Sequence, residues 1–300
     1  MVNDTCGDFI TIITPTYNRA YLLDRLYKSL LNQTNKKFLW LIIDDGSNDN
    51  TKQLVGKFIS DDVLSIKYIY KENGGKHTAL NLGISEIHSL LTFIVDSDDY
   101  LTEDAIEKIM VEWDKIKHLN LCGLSFLKGY SETNVVGKKY PKDYMVDNYI
   151  DIRINKKIHG DKAEVWVTKL LKETPFPEFE GEKFIGESVV WSKIANDYDM
   201  LFINRIIYIC EYMEDGLTKA GRKLRINCPL GRMETAKVSF LSTRFSRKSK
   251  IKDIWIYICH GFFANKNVKY LMKDSGIPLL VLLNLPFGFI LYKFWKIKYI

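Results

Sequence analysis

Phe93-Ile94-Val95-Asp96-Ser97-Asp98-Asp99 is an apolar, strand-like run that opens directly onto three carboxylates. Like charges crowded at a strand end repel one another unless a cation or water offsets them, so the stretch points to a metal or a metal-bound polyphosphate. The alternative is a solvated Asp-Ser-Asp-Asp turn capping a helix that begins near Thr102. The surrounding pattern favours the first.

Phe9 to Thr14 is β-branched and apolar, Pro15-Thr16-Tyr17-Asn18 forms a turn, and Leu22, Leu23, Leu26 and Leu30 recur at helical spacing. Leu39 to Ile43 repeats the theme, ending in Asp44-Asp45-Gly46-Ser47 before a helix from about Asn50 to Ile59. A third strand near Leu64 to Tyr70 breaks at Lys71-Glu72-Asn73-Gly74-Gly75, a helix follows from His77 to His88, and Leu91 to Val95 is the fourth strand. Strands alternating with helices imply an α/β fold with a mainly parallel sheet, in which ligands bind beyond the carboxyl ends of the strands. Pro15 to Tyr17, Asp44-Asp45, Lys71 to Lys76 and Asp96 to Asp99 should therefore converge on one edge. No GxGxxG follows the first strand and no GxxxxGK[ST] occurs, which removes the main support for dinucleotide-binding and P-loop readings.

Together, Pro-Thr-Tyr-Asn after the first strand, Asp-Asp-Gly-Ser-x-Asp after the second, Asn-Gly-Gly-Lys before a helix and Asp-Ser-Asp-Asp after the fourth resemble the family 2 inverting glycosyltransferases. The likeness is close from Phe9 to Tyr100 and looser to about Thr218. It implies a GT-A type, Rossmann-like mixed sheet flanked by helices. It implies further that Asp45 accepts a hydrogen bond from the uracil of a UDP-sugar and that Pro15, Thr16 and Tyr17 wall the base. By the same resemblance Asp96 holds the ribose and Asp98 binds the Mg²⁺ or Mn²⁺ that bridges the diphosphate, with Asp99 as a rival ligand. The Gly74-Gly75-Lys76-His77 turn would let backbone and the Lys76 cation approach the nucleotide, with His77 a weaker candidate.

An inverting transferase needs a carboxylate to take the acceptor hydroxyl's proton. Family members carry Glu-Asp at the start of a helix in the second half, the Asp being the common base; this chain has Glu187-Ser188. The role passes to Glu187, with Glu182 in reserve. Glu187 as a first-turn carboxylate favoured by the helix dipole is the competing account. Related sequences also bring the region of Asp161 and Lys162 to the acceptor and diphosphate, and Glu211 to Thr218 resembles the loop that closes over the site.

Five scattered cysteines without a CxxC pair, and a polar, acidic Met1 to Asp8, suggest a reducing cytoplasm and no secretory signal. From Arg222 to Ile300 there are 16 Lys and Arg against 3 acids, giving about +13, while the preceding part is about −7. The polyanion this suits is an anionic membrane, since no nucleic-acid reader motif accompanies the basic residues. Ile277 to Tyr292 is nearly all apolar, interrupted by Pro278, Asn284, Pro286 and Gly288, and runs into Lys293, Phe294, Trp295, Lys296 and Lys298. It falls short of the roughly 20 residues of a span and fits a monotopic anchor at about 277–295; a buried helix and a full span are the alternatives.

The expected organisation is a catalytic domain over 1–220 and a basic helical extension over 221–300. The expected activity is metal-dependent, inverting transfer from a nucleotide diphosphate sugar, UDP-linked by preference, to a hydroxyl of a glycan or lipid-linked saccharide in surface polysaccharide synthesis. It would proceed at the inner face of the cell membrane. A nucleotidyltransferase is the catalytic rival, although it would carry a Gly-rich basic loop where Pro15 to Arg19 stands. A degenerate sugar-nucleotide binder is the non-catalytic one, raised by Ser188.

Overall fold

A computed structural model describes residues 9–211 and 217–300, the side chains of 217–220 excepted. Met1 to Asp8, with Cys6, and Tyr212 to Gly216 of the expected closing loop lie outside the described residues.

Strands β1 (Ile10–Thr16), β2 (Phe38–Asp44), β3 (Ile66–Tyr70) and β4 (Leu91–Ile94) run parallel in the order β3-β2-β1-β4. Beyond β4 come β5 (Tyr100–Leu101), β6 (Leu121–Gly129), β7 (Met145–Asp147), β8 (Lys162–Val167) and β9 (Asp199–Ile209). β8 is antiparallel between β4 and β6, and β9 runs parallel to β6 with β5 and β7 antiparallel against it. The sheet is thus mixed and mainly parallel, and every residue of β1 is buried. Strands covered on both faces need apolar side chains on both, which explains the continuous apolar runs in the sequence.

Helices α1 (Ala20–Leu31), α2 (Thr51–Ser60), α3 (Lys76–Ser85), α4 (Ala105–Ile116), α5 (Thr168–Glu173) and α6 (Ser188–Ile194) supply those covers. Leu23, Leu26, Val55, Phe58, Ile109 and Trp113 pack with Ile10, Ile12 and Trp40 on one face. Ala79, Leu80, Leu171, Val190 and Trp191 pack with Ile13, Leu41 and Ile43 on the other. The third helix starts at Lys76, earlier than the sequence pattern indicates, so Lys76 occupies its first turn beside the site.

The rest is helical: α7 (Leu217–Asn227), α8 (Pro229–Leu241), α9 (Arg247–Phe263), α10 (Val268–Ser275) and α11 (Pro278–Tyr299). These helices enclose a core of their own, with Met233, Phe240, Tyr257, Ile258, Leu271, Val281 and Trp295 at its centre. Helix α11 continues through Pro286 for 22 residues, longer than the apolar run itself. Gly288 lets it lie directly on α9, because a Cβ there would stand 2.5 Å from Ile258 Cβ.

Candidate active site

The loops after β1 and β2 are tied to each other by the second motif. Ser47 Oγ accepts from Asn18 N at 2.8 Å, Asp49 Oδ2 accepts from Ala20 N at 3.1 Å, and Asn18 Oδ1 accepts from Asn48 N at 2.8 Å. Pro15 and Thr16 end β1 opposite Ile43 and Asp44, while Tyr17 beyond them is exposed. The Thr16 hydroxyl is buried without a hydrogen-bond partner.

Asp45 is the knot of the third loop. Its Oδ1 accepts from Lys71 Nζ at 2.8 Å and Gly74 N at 2.9 Å, and its Oδ2 accepts from Gly75 N at 2.7 Å and Asn73 Nδ2 at 3.1 Å. A carboxylate offers about four lone-pair directions, so all are engaged, and a direct bond to a base would need one of these donors to yield. Gly75 has φ +98°, and a Cβ there would sit 2.1 Å from Lys183 O, so no other residue fits this turn. Asp44 is similarly fixed, by Tyr68 Oη at 2.6 Å and Ser47 N at 2.8 Å.

At the exit of β4, one oxygen from each of Asp96, Asp98 and Asp99 lies within 4.8 Å of the others. Burial and the neighbouring Asp96 raise the Asp98 pKa. Burial lifts Asp99 to about 7 although Lys128 pulls the other way. Asp96 alone is lowered: burial opposes this, but Lys76 and Lys128 override it. Arg19 Nη1 at 3.7 Å from Asp98 and Lys128 Nζ at 3.8 Å from Asp99 are loose partners. Each carboxylate of the cluster thus has a cationic neighbour, Asp96 the close one in Lys76 and the other two only loose ones, and an all-carboxylate oxygen set suits a hard divalent cation.

Lys76 joins this cluster to the second half of the chain. Its Nζ is 2.5 Å from Asp96 Oδ1 and 2.8 Å from Glu187 Oε1. Burial lowers the lysine's pKa, yet the two carboxylates outweigh it and hold the ammonium firmly charged. Glu187 stands half-buried where α6 begins, beside the carboxylates of the strand ends. Glu182 is not brought to them, which corrects its place as reserve base: its Oε1 accepts from Leu230 N at 2.6 Å and its Oε2 from Gly231 N at 2.8 Å. It caps α8 instead. Both oxygens are spent on otherwise orphaned amides.

Lys162 points inward, donating to Val136 O at 3.2 Å, and burial lowers it to about 8. His77 is buried, which lowers its pKa. Asp161 is exposed at the start of β8, near enough to be felt by Lys128. Three groups escape sequence reasoning. Lys128 lies 3.7 Å over the Tyr208 ring. Tyr208 Oη accepts from Asp96 N at 3.0 Å and donates to Asp99. Glu164 is raised to about 7 by burial, with Arg153 and Lys128 opposing. The available signal was charge within apolar strands, Lys128 alone in β6 and Glu164 beside Lys162 in β8.

Comparison with known proteins agrees with this geometry. The profile of Glycosyl transferase family 2 matches residues 11–162. The Campylobacter jejuni GalNAc(5)-diNAcBac-PP-undecaprenol beta-1,3-glucosyltransferase is 26% identical over 286 residues, 92% of this chain and 90% of that protein. Among solved structures, Staphylococcus aureus TarS in complex with UDP-GlcNAc superposes with TM-score 0.61 at 17% identity, covering 92% of this chain and 89% of that one. The mannosyltransferase PcManGT from Pyrobaculum calidifontis, in complex with GDP-Man and Mn2+, gives TM-score 0.58 at 16% identity over 97% and 88%. These structures share the GT-A fold expected from the four motifs. With the family profile spanning half of its length, the chain belongs to glycosyl transferase family 2 and is a glycosyltransferase.

Proposed function

We propose that the chain moves a sugar from a UDP-linked donor to a hydroxyl of a lipid-linked saccharide, with inversion and with the help of a divalent cation. The observation that carries this reading is Lys76, whose one ammonium touches both Asp96 of the strand-exit cluster and Glu187 of the opposite wall. A donor site and a base thus face each other across one side chain. Asp98 and Asp99 would hold Mg²⁺ or Mn²⁺, which when bound supplies Lewis-acid stabilisation to the departing diphosphate. Asp96 takes the ribose, and Pro15, Thr16, Tyr17 and the loop organised by Asp45 enclose the base.

Glu187 takes the proton of the acceptor hydroxyl as its oxygen attacks the anomeric carbon, while Lys76 orients that carboxylate. The acceptor class is supported by the Campylobacter relative, whose substrate is carried on PP-undecaprenol. Attachment of the helices in 221–300 to an anionic membrane at the cytoplasmic face is supported by the basic surplus and by α11, of which Leu283 is 71% and Ile290 64% exposed. The described cysteines are free thiols, as a reducing compartment would keep them.

A panel of sugar nucleotides, read by release of nucleotide diphosphate with and without EDTA, tests the reading. Release from a UDP-sugar should require Mg²⁺ or Mn²⁺. Asp98→Asn should lower the rate about 10²-fold or more with the fold unchanged. Full turnover in EDTA, or in Asp98→Asn, would remove the cation from the mechanism.

A further inference from the structure

A cavity of about 220 Å³ lies between the turn that carries Glu187 and the helices α7 and α8. Gly186 and Ser188, the two neighbours of Glu187, form one wall; Arg225, Cys228, Arg232 and Thr235 form the other. The carboxylates near it are already committed. Glu182 is spent on the α8 amides, and Asp253 takes Arg232 Nη2 at 3.3 Å and the Ser239 hydroxyl. Among the described residues no carboxylate pairs with Arg225, which stands exposed at the rim. The cavity therefore holds an unanswered positive charge.

Its position relative to α11 gives that charge a meaning. One turn before Arg225, Arg222 lies 4.6 Å over the Trp295 ring and donates to Tyr299 Oη at 3.0 Å. Trp295 and Tyr299, with Tyr292, Lys293, Lys296 and Lys298, are the aromatic and basic end of α11, the composition of a segment at headgroup depth. The cavity is thus bounded on one side by the two chain neighbours of the candidate base and lies, on the other, next to the part of the anchor that would meet phosphate groups. We propose that it binds the diphosphate of the lipid-linked acceptor, Arg225 and Arg232 gripping the phosphates while the sugar reaches round to Glu187. The proposal rests on the lipid-linked acceptor reading above and deepens it.

The test uses the full chain in detergent with EDTA, so that no cation at Asp98 recruits a diphosphate. Farnesyl diphosphate should bind, farnesol should not, inorganic pyrophosphate should compete and UDP should not. Arg225→Glu should weaken farnesyl diphosphate at least about tenfold, the scale of one charge-assisted contact. UDP affinity measured with Mg²⁺ reports that the variant is folded. Unchanged farnesyl diphosphate affinity in Arg225→Glu, or its displacement by UDP, would overturn the assignment. So would loss of binding to phosphatidylglycerol vesicles with diphosphate binding intact, because the arginine would then serve lipid headgroups. Arg225-dependent diphosphate binding in a protein that glycosylates only free saccharides would support the site and overturn the acceptor reading alone.

Discussion

At the scale of single residues, the unusual feature is one ammonium touching two carboxylates to which we assign separate tasks. Removing proton acceptance at Glu187 while keeping its shape should therefore leave the donor side intact. Glu187→Gln is expected to slow transfer by about 10² to 10⁴-fold with UDP affinity nearly constant. Steady-state rates and calorimetric titration of UDP check this; wild-type turnover in Glu187→Gln would shift the role to Glu164, a half-buried carboxylate within electrostatic reach of Glu187. The acids at the strand ends were legible because each interrupts a local pattern: an apolar strand stops, and a carboxylate follows. Lys128 and Tyr208 were not, since each lies within a strand distant in sequence and reaches Asp96 to Asp99 only once β6 and β9 join the sheet.

At the scale of elements, the carboxylate-rich loop from Pro175 to Glu187 sends its acids to different places, Glu182 to the start of α8 and Glu187 to Lys76. Spacing alone could not sort them, because Glu182 and Glu187 look equally suited to a helix start or a base. Tertiary packing decides: Glu182 closes the N-terminus of α8, and the same loop presses Lys183 O onto Gly75. Deleting a capping side chain costs about 0.5–2 kcal/mol, and here two amides, that of Gly231 buried and that of Leu230 partly so, lose their acceptor. Glu182→Ala should thus lower the melting temperature visibly while the turnover of the folded fraction changes less than tenfold. A rate loss as large as that of Glu187→Gln, with an unchanged melting curve, would restore Glu182 to the mechanism.

At the scale of the whole molecule, a basic helical unit is fastened to an acidic catalytic sheet, and its stability and location respond to charge. His260 is buried in that unit, its Nδ1 donating to Ile256 O at 2.9 Å and its Nε2 without a partner. Burial lowers its pKa to about 3 from 6.5, and Arg232, Arg225 and Arg222 add to the effect despite the Ile256 carbonyl. The unfolded chain therefore takes up a proton between those values that the folded chain refuses, so stability falls as pH drops below 6.5. His260→Leu should flatten the decline in melting temperature between pH 7.5 and 5; an equally steep decline would clear His260 of it. The tail obeys a different balance. Val281, Gly288 and Trp295 recur every seventh residue on the face of α11 turned inward, whereas Leu279, Leu283, Ile290 and Ile297 are exposed. Deleting the helix would uncover the core around Tyr257 and Ile258, so point changes are the cleaner probe. Burying four large aliphatic side chains is worth about 1.5–3 kcal/mol each, against about 1 kcal/mol for each lysine near an anionic surface. Replacing Leu279, Leu283, Ile290 and Ile297 by Ser should thus abolish flotation with phosphatidylglycerol vesicles, while Lys293, Lys296 and Lys298 changed to Gln should only weaken it and remove its salt dependence. Equal flotation of the serine variant and the native chain would mean that the exposed face of α11 meets something other than lipid.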